Sequence, residues 1–370
     1  RKSFARQTNR RRQPIWTGTD YNRVVKIIFH RLLFSQLTQF ARSTFCAADS
    51  RKSLQNFSHS VFCTPRYVPR LTATLRTVSS AFFVSPFESA AILTWDGTGE
   101  DTTTLFCQGK DTKIKVLKRV KLPHSLGQFY SAVTNYIGFD MFAGDEWKVM
   151  GLAAYGRPRY YDFFAEKVLT KNGRGDFHYN IKALDHHLAK HYQFPETIVK
   201  EIGEPRRPGE ELTEKHWDVA CSAQKVLEDT ALYLAKQIKE MTGEENLCMA
   251  GGVAFNSVMN GRIFHETPFK NFYVQPAAGD AGCSLGAAYY VWHQILGNPR
   301  EYVMNHAYWG PKFSNEDCQK ALNEAGLKYE TLPDEELLPR LAKMIADGAI
   351  IGWFQGRMEW GPRALGGRSF

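Results

Sequence analysis

Glycine and acidic residues are nearly absent from one end of this chain of 370 residues. Residues 1–78 contain one glycine and two carboxylates, against 28 glycines and 36 carboxylates in the remaining 292 residues. They also carry 15 of the 47 Lys and Arg, so the net charge of +9 is the sum of +13 there and −4 elsewhere. The basic excess therefore belongs to one segment and says little about the partners of the rest.

Long apolar runs and paired cysteines are also lacking. No apolar stretch is long enough to cross a bilayer, which argues against a transmembrane protein and for a soluble one. The seven cysteines include no C-x-x-C pair and are odd in number, and several lie in apolar strands or helices. We expect reduced core thiols in a cytoplasmic protein, and no disulfide scaffold.

Residues 1–78 show no regular alternation of turns and apolar segments. One amphipathic patch, residues 24–34, is compatible with a helix. This patch lies too far along the chain for a signal peptide and lacks a small-residue cleavage site. We treat residues 1–78 as a basic segment of uncertain status.

Beyond residue 79, turn-forming residues recur regularly between apolar segments, and this pattern predicts an α/β fold. Apolar residues at spacings of three and four predict a long helix over residues 218–241, ending at Gly243. Three β-prone segments separated by tight turns predict a meander at residues 90–95, 102–107 and 113–117. Two strand–loop–helix units follow, with strands at residues 246–250 and 272–274 and helices near Asn256 and from Ser284.

The last part of the chain has the character of a separate region. Residues 299–311 are typical of a linker. After them we predict a helix capped at Ser314, a second helix over residues 335–347 and a strand over residues 349–354. Because so few residues make a marginal mixed domain, we expect this region to be the start of one that continues beyond the chain.

Three glycine-rich turns each follow a predicted strand, at residues 96–99, 251–252 and 279–282. Glycines let backbone N–H groups approach a phosphate, and a helix N-terminus attracts anions. Asp96 and Asp280 add carboxylates to two of the turns. Each turn alone is equally typical of an ordinary hairpin or βα connection, but together they favour a nucleotide cleft between two α/β lobes.

Three further motifs each have a functional and an ordinary interpretation. Glu146 and Lys148 precede an apolar segment. They are interpreted either as a contact to a ribose or base, or as the salt-bridged start of a helix. His187 and His191 have the spacing of metal ligands on a helix, but without a third ligand nearby we favour a solvated face. A glycine-rich loop near the end of the sequence contains three arginines: Arg357, Arg363 and Arg368. Their guanidinium groups suit a phosphate or carboxylate ligand, but the loop is equally typical of a flexible surface loop.

Eight segments together resemble the nodulation-type O-carbamoyltransferases, which modify nodulation factors and antibiotics. They run in family order at residues 79–87, 96–100, 125–130, 146–153, 216–220, 251–256, 279–282 and 358–366. The resemblance implies an actin/sugar-kinase type ATPase domain over residues 79–300. It also implies that residues 301–370 are the start of a second domain, of α+β type, that forms carbamoyl-adenylate.

In this family, ATP and carbamoyl phosphate give carbamoyl-adenylate, whose carbamoyl group passes to a hydroxyl of a sugar or small-molecule acceptor. The matching positions imply catalytic or donor-binding roles for Asp96, Arg357 and Arg363. They imply ATP contacts for Gly97, Thr98, Gly99, Glu146, Lys148, Gly251, Gly252 and Asn256. They imply a ligand for a divalent ion, iron or magnesium, at Asp280.

The chain departs from the family pattern in two places. The family's Gly…His-Asp phosphate turn is absent from residues 1–78, and its His-His-x-x-His motif is replaced by Ala-Thr-Leu-Arg-Thr at residues 73–77. Asp280 therefore lacks histidine partners. We hypothesise that residues 1 to about 77 are translated in the wrong frame, and the coding DNA upstream of Ser79 tests this. As written, we expect this chain to form no carbamoyl-adenylate.

We expect carbamoyl phosphate, ATP and a hydroxyl acceptor as partners, no membrane partner, and allow for a homodimer. One alternative is another ATPase of the same fold, a sugar kinase or a tRNA-modifying threonylcarbamoyl transferase, against which the loop at residues 358–366 argues. The other is a nucleic-acid-binding protein that uses residues 1–78. Frequent Phe, Leu and Ile in that segment argue against a solvated arm.

Overall fold

The computed structural model describes residues 72–173, 175–184 and 194–370, which divide into two compact units. Among the described residues, the larger unit contains residues 72–309 and 359–364 and the smaller unit contains residues 310–358 and 365–370. Several predicted features lie outside the described residues: the amphipathic patch at 24–34 and the histidines His186, His187 and His191.

The larger unit is built from strands and helices in mixed order. Its strands are β1 (Ser89–Trp95), β2 (Thr102–Lys110), β3 (Lys113–Lys121), β4 (Leu169–Lys171), β5 (Phe177–Tyr179), β6 (Asn246–Ala250) and β7 (Asn271–Val274). Its helices are α1 (Ala73–Phe82), α2 (Leu126–Tyr136), α3 (Glu146–Leu152), α4 (Tyr161–Phe163), α5 (Glu196–Ile202), α6 (Glu214–Thr242), α7 (Ser257–Glu266) and α8 (Cys283–Tyr289).

Five of these strands form the central sheet, in the order β3-β2-β1-β6-β7. The predicted meander is confirmed, because β1, β2 and β3 pair antiparallel in sequence order. The strands β1, β6 and β7 run parallel to one another. The chain therefore leaves these three strands at the same edge of the sheet, and a glycine-rich turn follows each strand within five residues.

Helices cover both faces of this sheet, as the alternation of buried side chains requires. On β1, Ala90 and Ile92 pack with α1 on one face. Leu93 and Trp95 belong to the larger core on the other face, which includes residues of α2 and α6. This arrangement is the α/β architecture expected from the sequence.

Helix α6 begins earlier than the periodicity predicted. The backbone N–H of Thr213 donates to Nδ1 of His216 at 2.9 Å, and the hydroxyl of Thr213 lies 3.0 Å from the same nitrogen, in a capping box. This cap extends the helix by one turn beyond the predicted start. The helix ends where predicted, with Gly243 in the left-handed conformation at φ +68°.

Helix α1 lies against α8 at unusually close range. The side chain of Thr72 accepts a hydrogen bond from the N–H of Leu75 and caps the helix. A Cβ on Gly286 of α8 would overlap the carbonyl oxygen of Arg76. Only glycine permits this approach. The predicted domain boundary before Ser79 lies inside α1.

The segment predicted as a linker packs against the larger unit. The guanidinium of Arg300 donates to the carbonyl oxygens of Phe87, Phe82 and Ser85 at 2.7–2.9 Å, and it lies 4.4 Å from the ring centroid of Phe82. Met304 is buried, and its N–H donates to the carbonyl of Val84. Residues 300–304 therefore pack as part of the larger unit, and the division between the two units, at Trp309 and Gly310, falls inside the stretch predicted as a linker.

The smaller unit contains helices α9 (Asn315–Glu324) and α10 (Asp334–Ala346) and strands β8 (Trp353–Phe354) and β9 (Arg368–Ser369). Helix α9 has the predicted cap, in which the side chains and backbones of Ser314 and Asp317 bond reciprocally. The strand predicted over residues 349–354 is wrong in length, because its antiparallel partner β9 offers only two residues. Ile350 is 89% exposed as a result.

Two findings bear on the disulfide-stabilised and membrane-spanning classes that the sequence argues against. Five described cysteines are free thiols, and Cys107 and Cys248 are buried in the sheet. Burial raises the pKa of both thiols to about 12, which keeps them protonated and unreactive. No helix among the described residues is long and apolar enough to span a membrane.

We predict that Gly286→Ala destabilises the protein by about 3 kcal/mol in urea unfolding, because the added methyl meets a backbone oxygen. Gly261→Ala is the matched control. Gly261 lies in α7 with nothing within 4 Å of an added Cβ, so this change should stabilise by about 0.5–1 kcal/mol. Equal effects of the two variants would contradict the close packing of α1 on α8.

Candidate active site

Asp96 follows β1 and is held by two neighbouring elements. Its backbone N–H donates to the carbonyl of Thr103 in the hairpin, at 2.8 Å. Its Oδ1 accepts a hydrogen bond of 2.6 Å from the N–H of Gly252, directly after β6. The parallel pairing of β1 with β6 brings these groups together, although 156 residues separate them in sequence.

Gly251 makes this approach possible. It has φ +93°, and a Cβ there would overlap the backbone of Trp95. Its N–H donates to the carbonyl of Ala278 at 2.7 Å. Gly252 itself faces Asp96, where an added Cβ would lie 3.3 Å from Oδ1. The turn therefore presents bare backbone to the carboxylate, as a phosphate-binding turn requires.

The third turn, after β7, reaches the same place. A Cβ on Gly279 would lie 4.0 Å from Cα of Gly252. Asp280 follows, and its carboxylate is near enough to raise the pKa of Asp96. The three turns predicted from glycine and acid content thus meet at one edge of the sheet.

Asp96 is chemically unusual. Burial raises its pKa from 3.8 to about 7, the hydrogen bond from Gly252 opposes this shift, and the charge of Asp280 adds to it. A carboxyl group with this pKa exchanges protons near neutral pH. Such a group is suited to general acid–base catalysis.

Ser125 supports the Asp96 turn from the other side. Its hydroxyl lies 2.9 and 2.7 Å from the carbonyl oxygens of Asp96 and Gly97 and caps α2 by accepting from the N–H of Gln128. A Cβ on Gly127 would lie 2.6 Å from Cα of Gly97. Sequence reasoning gave Ser125 no role, although the Ser-x-x-Gln spacing is that of a helix cap.

The remaining predicted residues of this hairpin differ in exposure. Thr98 is exposed at the tip, whereas Gly97 and Gly99 are partly buried. The N–H of Gly99 donates to the carbonyl of Thr102 at 3.1 Å and closes the turn. Gly97 is therefore the better placed of the two glycines for a ligand.

The donor atoms near Asp280 do not suit a transition metal. Cys283 lies nearby, with Sγ 3.4 Å from the hydroxyl of Thr77, and burial raises the pKa of its thiol. No group of three or more His, Cys, Asp or Glu side chains in the described part of the chain could hold a metal ion. Without histidine, the site does not fit iron.

The two predicted arginines occupy different units. Arg363 belongs to the larger unit, where Nη2 donates to the carbonyl of Phe255 beside the Gly252 turn. Burial lowers the pKa of its guanidinium. Arg357 belongs to the smaller unit and donates from Nη1 to the carbonyl of Gly310 at 3.1 Å.

Glu146 and Lys148 on α3 bond to residues outside the Asp96 turn. Glu146 accepts a hydrogen bond of 2.6 Å from Ser131 in the middle of α2. Lys148 forms an ion pair of 2.7 Å with Asp145. Its ammonium group lies 5.6 Å from the ring centroids of both Phe139 and Trp147.

Asn256 is part of a buried polar network that sequence reasoning missed. Its amide exchanges two hydrogen bonds with Gln224 of α6, at 2.8 and 3.0 Å, and its Oδ1 caps α7 through the N–H of Met259. Gln224 also bonds to Tyr130 and Glu228, both at 2.6 Å. The amide of Asn256 is thus bonded within the protein. A contact from this residue to a nucleoside stays a prediction.

We predict that the free energy of unfolding falls as pH rises from about 4 to about 7 because of Asp96. The unfolded carboxyl ionises near 3.8 while the folded one keeps its proton to about 7, so the unfolded state binds fewer protons in this window. Asp96→Asn should remove this part of the slope, a few kcal/mol in urea unfolding.

Asp101→Asn is the control for this measurement, because Asp101 lies in the same hairpin but is exposed and paired with Lys121. It should keep the wild-type slope between pH 4.5 and pH 7.5. A wild-type slope in Asp96→Asn would show that the folded carboxyl ionises at its ordinary pKa.

Comparison with known proteins identifies relatives of this arrangement. A family model described as the carbamoyltransferase N-terminus matches residues 70–289, which include all of α1, and one described as the carbamoyltransferase C-terminus matches residues 342–370. The chain is 44% identical over 298 residues to an uncharacterised protein of Synechocystis sp., sll1178, which covers 79% of this chain and 48% of that protein.

Nodulation protein NolO of Bradyrhizobium diazoefficiens is 38% identical over 296 residues, covering 78% of this chain and 51% of that protein. The chain thus spans about half the length of the curated relatives it matches. The solved structure of T. kodakarensis HypF aligns with 61% of this chain and 37% of that chain at a TM-score of 0.30 and 14% identity, too low for comparing sites. Because the N-terminal match alone spans more than half of the chain, the chain belongs to the carbamoyltransferase family.

Proposed function

We propose that the complete protein transfers the carbamoyl group of carbamoyl phosphate, by way of carbamoyl-adenylate formed from ATP, to a hydroxyl of a sugar or other small acceptor. Family membership supports the carbamoyl group as the cargo. The observation that carries the proposal is the partly buried Asp96, held by the N–H of Gly252 beside Asp280. Acyl transfer from a mixed anhydride needs alignment and a proton acceptor more than a protein nucleophile.

We further propose that the larger unit is an ATPase domain of the actin/sugar-kinase type. An antiparallel meander continued by parallel strands, in the order β3-β2-β1-β6-β7, supports this assignment. In such a sheet, ligands bind beyond the carboxyl ends of the parallel strands. The turns at Asp96, Gly252 and Asp280 lie at those ends, so we assign the nucleotide phosphates to this edge.

The reaction balances in two stages. Carbamoyl phosphate, ATP and water give carbamoyl-adenylate, pyrophosphate and phosphate. The acceptor oxygen then bonds to the carbamoyl carbon while the bond from that carbon to the AMP oxygen breaks. Asp96 accepts the proton of the acceptor hydroxyl, a role that suits a carboxyl group whose pKa is about 7.

Charges around the turns suit an anionic donor. Arg363 places a guanidinium beside the turn at Gly252, where a phosphate or adenylate would bind. Mg²⁺ brought with ATP needs only one or two carboxylates and keeps several waters, so Asp280 would suit it as a partner. Arg357 is assigned to the carbamoyl phosphate or adenylate bound by the second domain.

Carbamoyl transfer is tested in the complete protein with radiolabelled carbamoyl phosphate, ATP and a panel of hydroxyl acceptors. We expect labelled product and AMP to form together. Asp96→Asn should lower kcat by about 10²- to 10⁴-fold, the range for loss of a general base. Asp101→Asn, exposed in the same hairpin, should stay within about twofold of wild type.

Three results would contradict the proposal. Transfer that proceeds without carbamoyl phosphate would favour another ATPase of the same fold. Release of ADP in place of AMP, with phosphate on the acceptor, would identify a sugar kinase. Full activity of Asp96→Asn would remove Asp96 from the chemistry.

A further inference from the structure

Gln224 of α6 joins two elements that hold the Asp96 turn. Its Oε1 accepts a hydrogen bond of 2.6 Å from the hydroxyl of Tyr130 on α2 and one of 2.8 Å from the amide of Asn256. Its Nε2 donates to Oδ1 of Asn256 at 3.0 Å and to the carboxylate of Glu228 at 2.6 Å. Both N–H donors and both acceptor positions of this one amide are therefore used within the protein.

Fixed donors and charges determine which way the two amides face. The backbone N–H of Met259 can only donate, and it bonds to Oδ1 of Asn256 at 2.9 Å. Gln224 must then present Nε2 to the same oxygen. The carboxylate of Glu228 also needs a donor from Gln224, while its other oxygen pairs with Arg262 at 3.0 Å. A single orientation of Gln224 satisfies all of these groups.

One arm of the network reaches the Asp96 turn through α2. Tyr130 lies five residues after Ser125, whose hydroxyl bonds to the carbonyl oxygens of Asp96 and Gly97. Between them, Gly127 packs so closely on the turn that an added Cβ would lie 2.6 Å from Cα of Gly97. Because these contacts come from the first turns of one helix, a displacement of α2 at Tyr130 displaces the Asp96 turn.

The other arm reaches the group that donates to Asp96. A short 3₁₀ helix, Gly252–Phe255, directly precedes Asn256. The N–H of Asn256 donates to the carbonyl of Val253 at 2.9 Å and closes this turn. The position of Asn256 therefore sets the position of the N–H of Gly252, which meets Oδ1 of Asp96 at 2.6 Å.

Burial makes this network a rigid connection. Gln224 is 4% exposed, Tyr130 5% and Asn256 8%. Burial also raises the pKa of Tyr130 well above its ordinary value, so the phenol keeps the proton that it donates. Buried networks in which every group is bonded hold one arrangement, because water is not at hand to replace a lost partner.

We propose that Gln224 is a positioning residue for carbamoyl transfer. By binding Tyr130 and Asn256 at once, it fixes the Asp96 turn relative to the N–H of Gly252. The inference rests on the proposed function, in which Asp96 accepts the proton of the acceptor hydroxyl. A carboxylate that is less firmly oriented meets this hydroxyl less often in a productive geometry, so loss of Gln224 lowers kcat more than it changes the KM of the acceptor.

Two tyrosines of α2 provide a matched pair of variants. Tyr130→Phe removes only the hydroxyl that bonds to Gln224, and Tyr136→Phe removes a hydroxyl that bonds to the carbonyl of Gly203 at the other end of the helix. Both side chains are buried, so both variants should lower the thermal midpoint by similar amounts. Gln224→Met, of similar length, removes every hydrogen bond of the amide.

The N–H of Gly252 can be observed directly by NMR. The chain contains two Gly-Gly pairs, 251–252 and 366–367. Glycine labelled with ¹³C at the carbonyl and ¹⁵N at the nitrogen therefore gives two signals in a carbonyl-filtered spectrum, and Gly367→Ala identifies the one from Gly252. We expect this proton far downfield, because it bonds to a carboxylate at 2.6 Å. Tyr130→Phe and Gln224→Met should move it upfield, and Tyr136→Phe should leave it unchanged.

Kinetics of the complete protein, with labelled carbamoyl phosphate, test the consequence for transfer. Tyr130→Phe should lower kcat about tenfold and Gln224→Met about 100-fold, with the KM of the acceptor within about twofold of wild type. Tyr136→Phe should keep the wild-type kcat. If Gln224→Met does not fold, Tyr130→Phe decides alone, because it removes one hydrogen bond and no volume from the core.

An unmoved Gly252 signal in Tyr130→Phe would overturn the inference, and so would a signal that moves equally in Tyr136→Phe. A moved signal with unchanged kcat would assign Gln224 to the fold alone and overturn it as well. A wild-type protein that transfers no carbamoyl group contradicts the proposed function, whatever the Gly252 signal does. Wild-type transfer with an unmoved signal contradicts only the role of Gln224.

Discussion

The parallel pairing of β1 with β6 is the contact on which the candidate site depends. The pairs Ile92 with Cys248 and Thr94 with Ala250 fix the register of the two strands. In that register the strand after Ala250 turns directly over Trp95, and only a glycine with φ +93° can make the turn. The N–H of Gly252 then meets the carboxylate of Asp96 at 2.6 Å. A shift of one residue in β6 would turn its side chains to the opposite face and move the N–H of Gly252 away from Asp96.

The local parts of the fold could be predicted from the sequence, and the long-range parts could not. Strands β1 to β3 were predictable because β-prone segments alternate with tight turns. The missed start of α6 depends on a cap in which histidine takes the place that glutamate usually has. Arg300 was interpreted as part of a linker. Its carbonyl partners lie more than 200 residues earlier in the chain, so the sequence does not show that they are its neighbours.

The residues of the candidate site also differ in whether the sequence could predict their grouping. Asp96, Gly252 and Asp280 were predictable as a group, because glycine-rich turns after parallel strands converge at one edge of a sheet. Lys148 and Asn256 were grouped with them by resemblance, and neither bonds to that group: Lys148 pairs with Asp145, and Asn256 pairs with Gln224. Gln224 carried no signal, since a glutamine on a helix is ordinary until its partner is known.

One short segment has a consequence for dissecting the protein. Residues 359–364 belong to the larger unit, although the residues before and after them belong to the smaller one. Glycine is required at 361, where a Cβ would overlap the carbonyl of Pro276, and Arg363 bonds to the carbonyl of Phe255. The chain therefore enters the larger unit a second time after leaving it at Trp309. Cutting the gene after Trp309 would remove a segment that packs in the larger unit beside its glycine-rich turns, so the two units cannot be separated by a single cut.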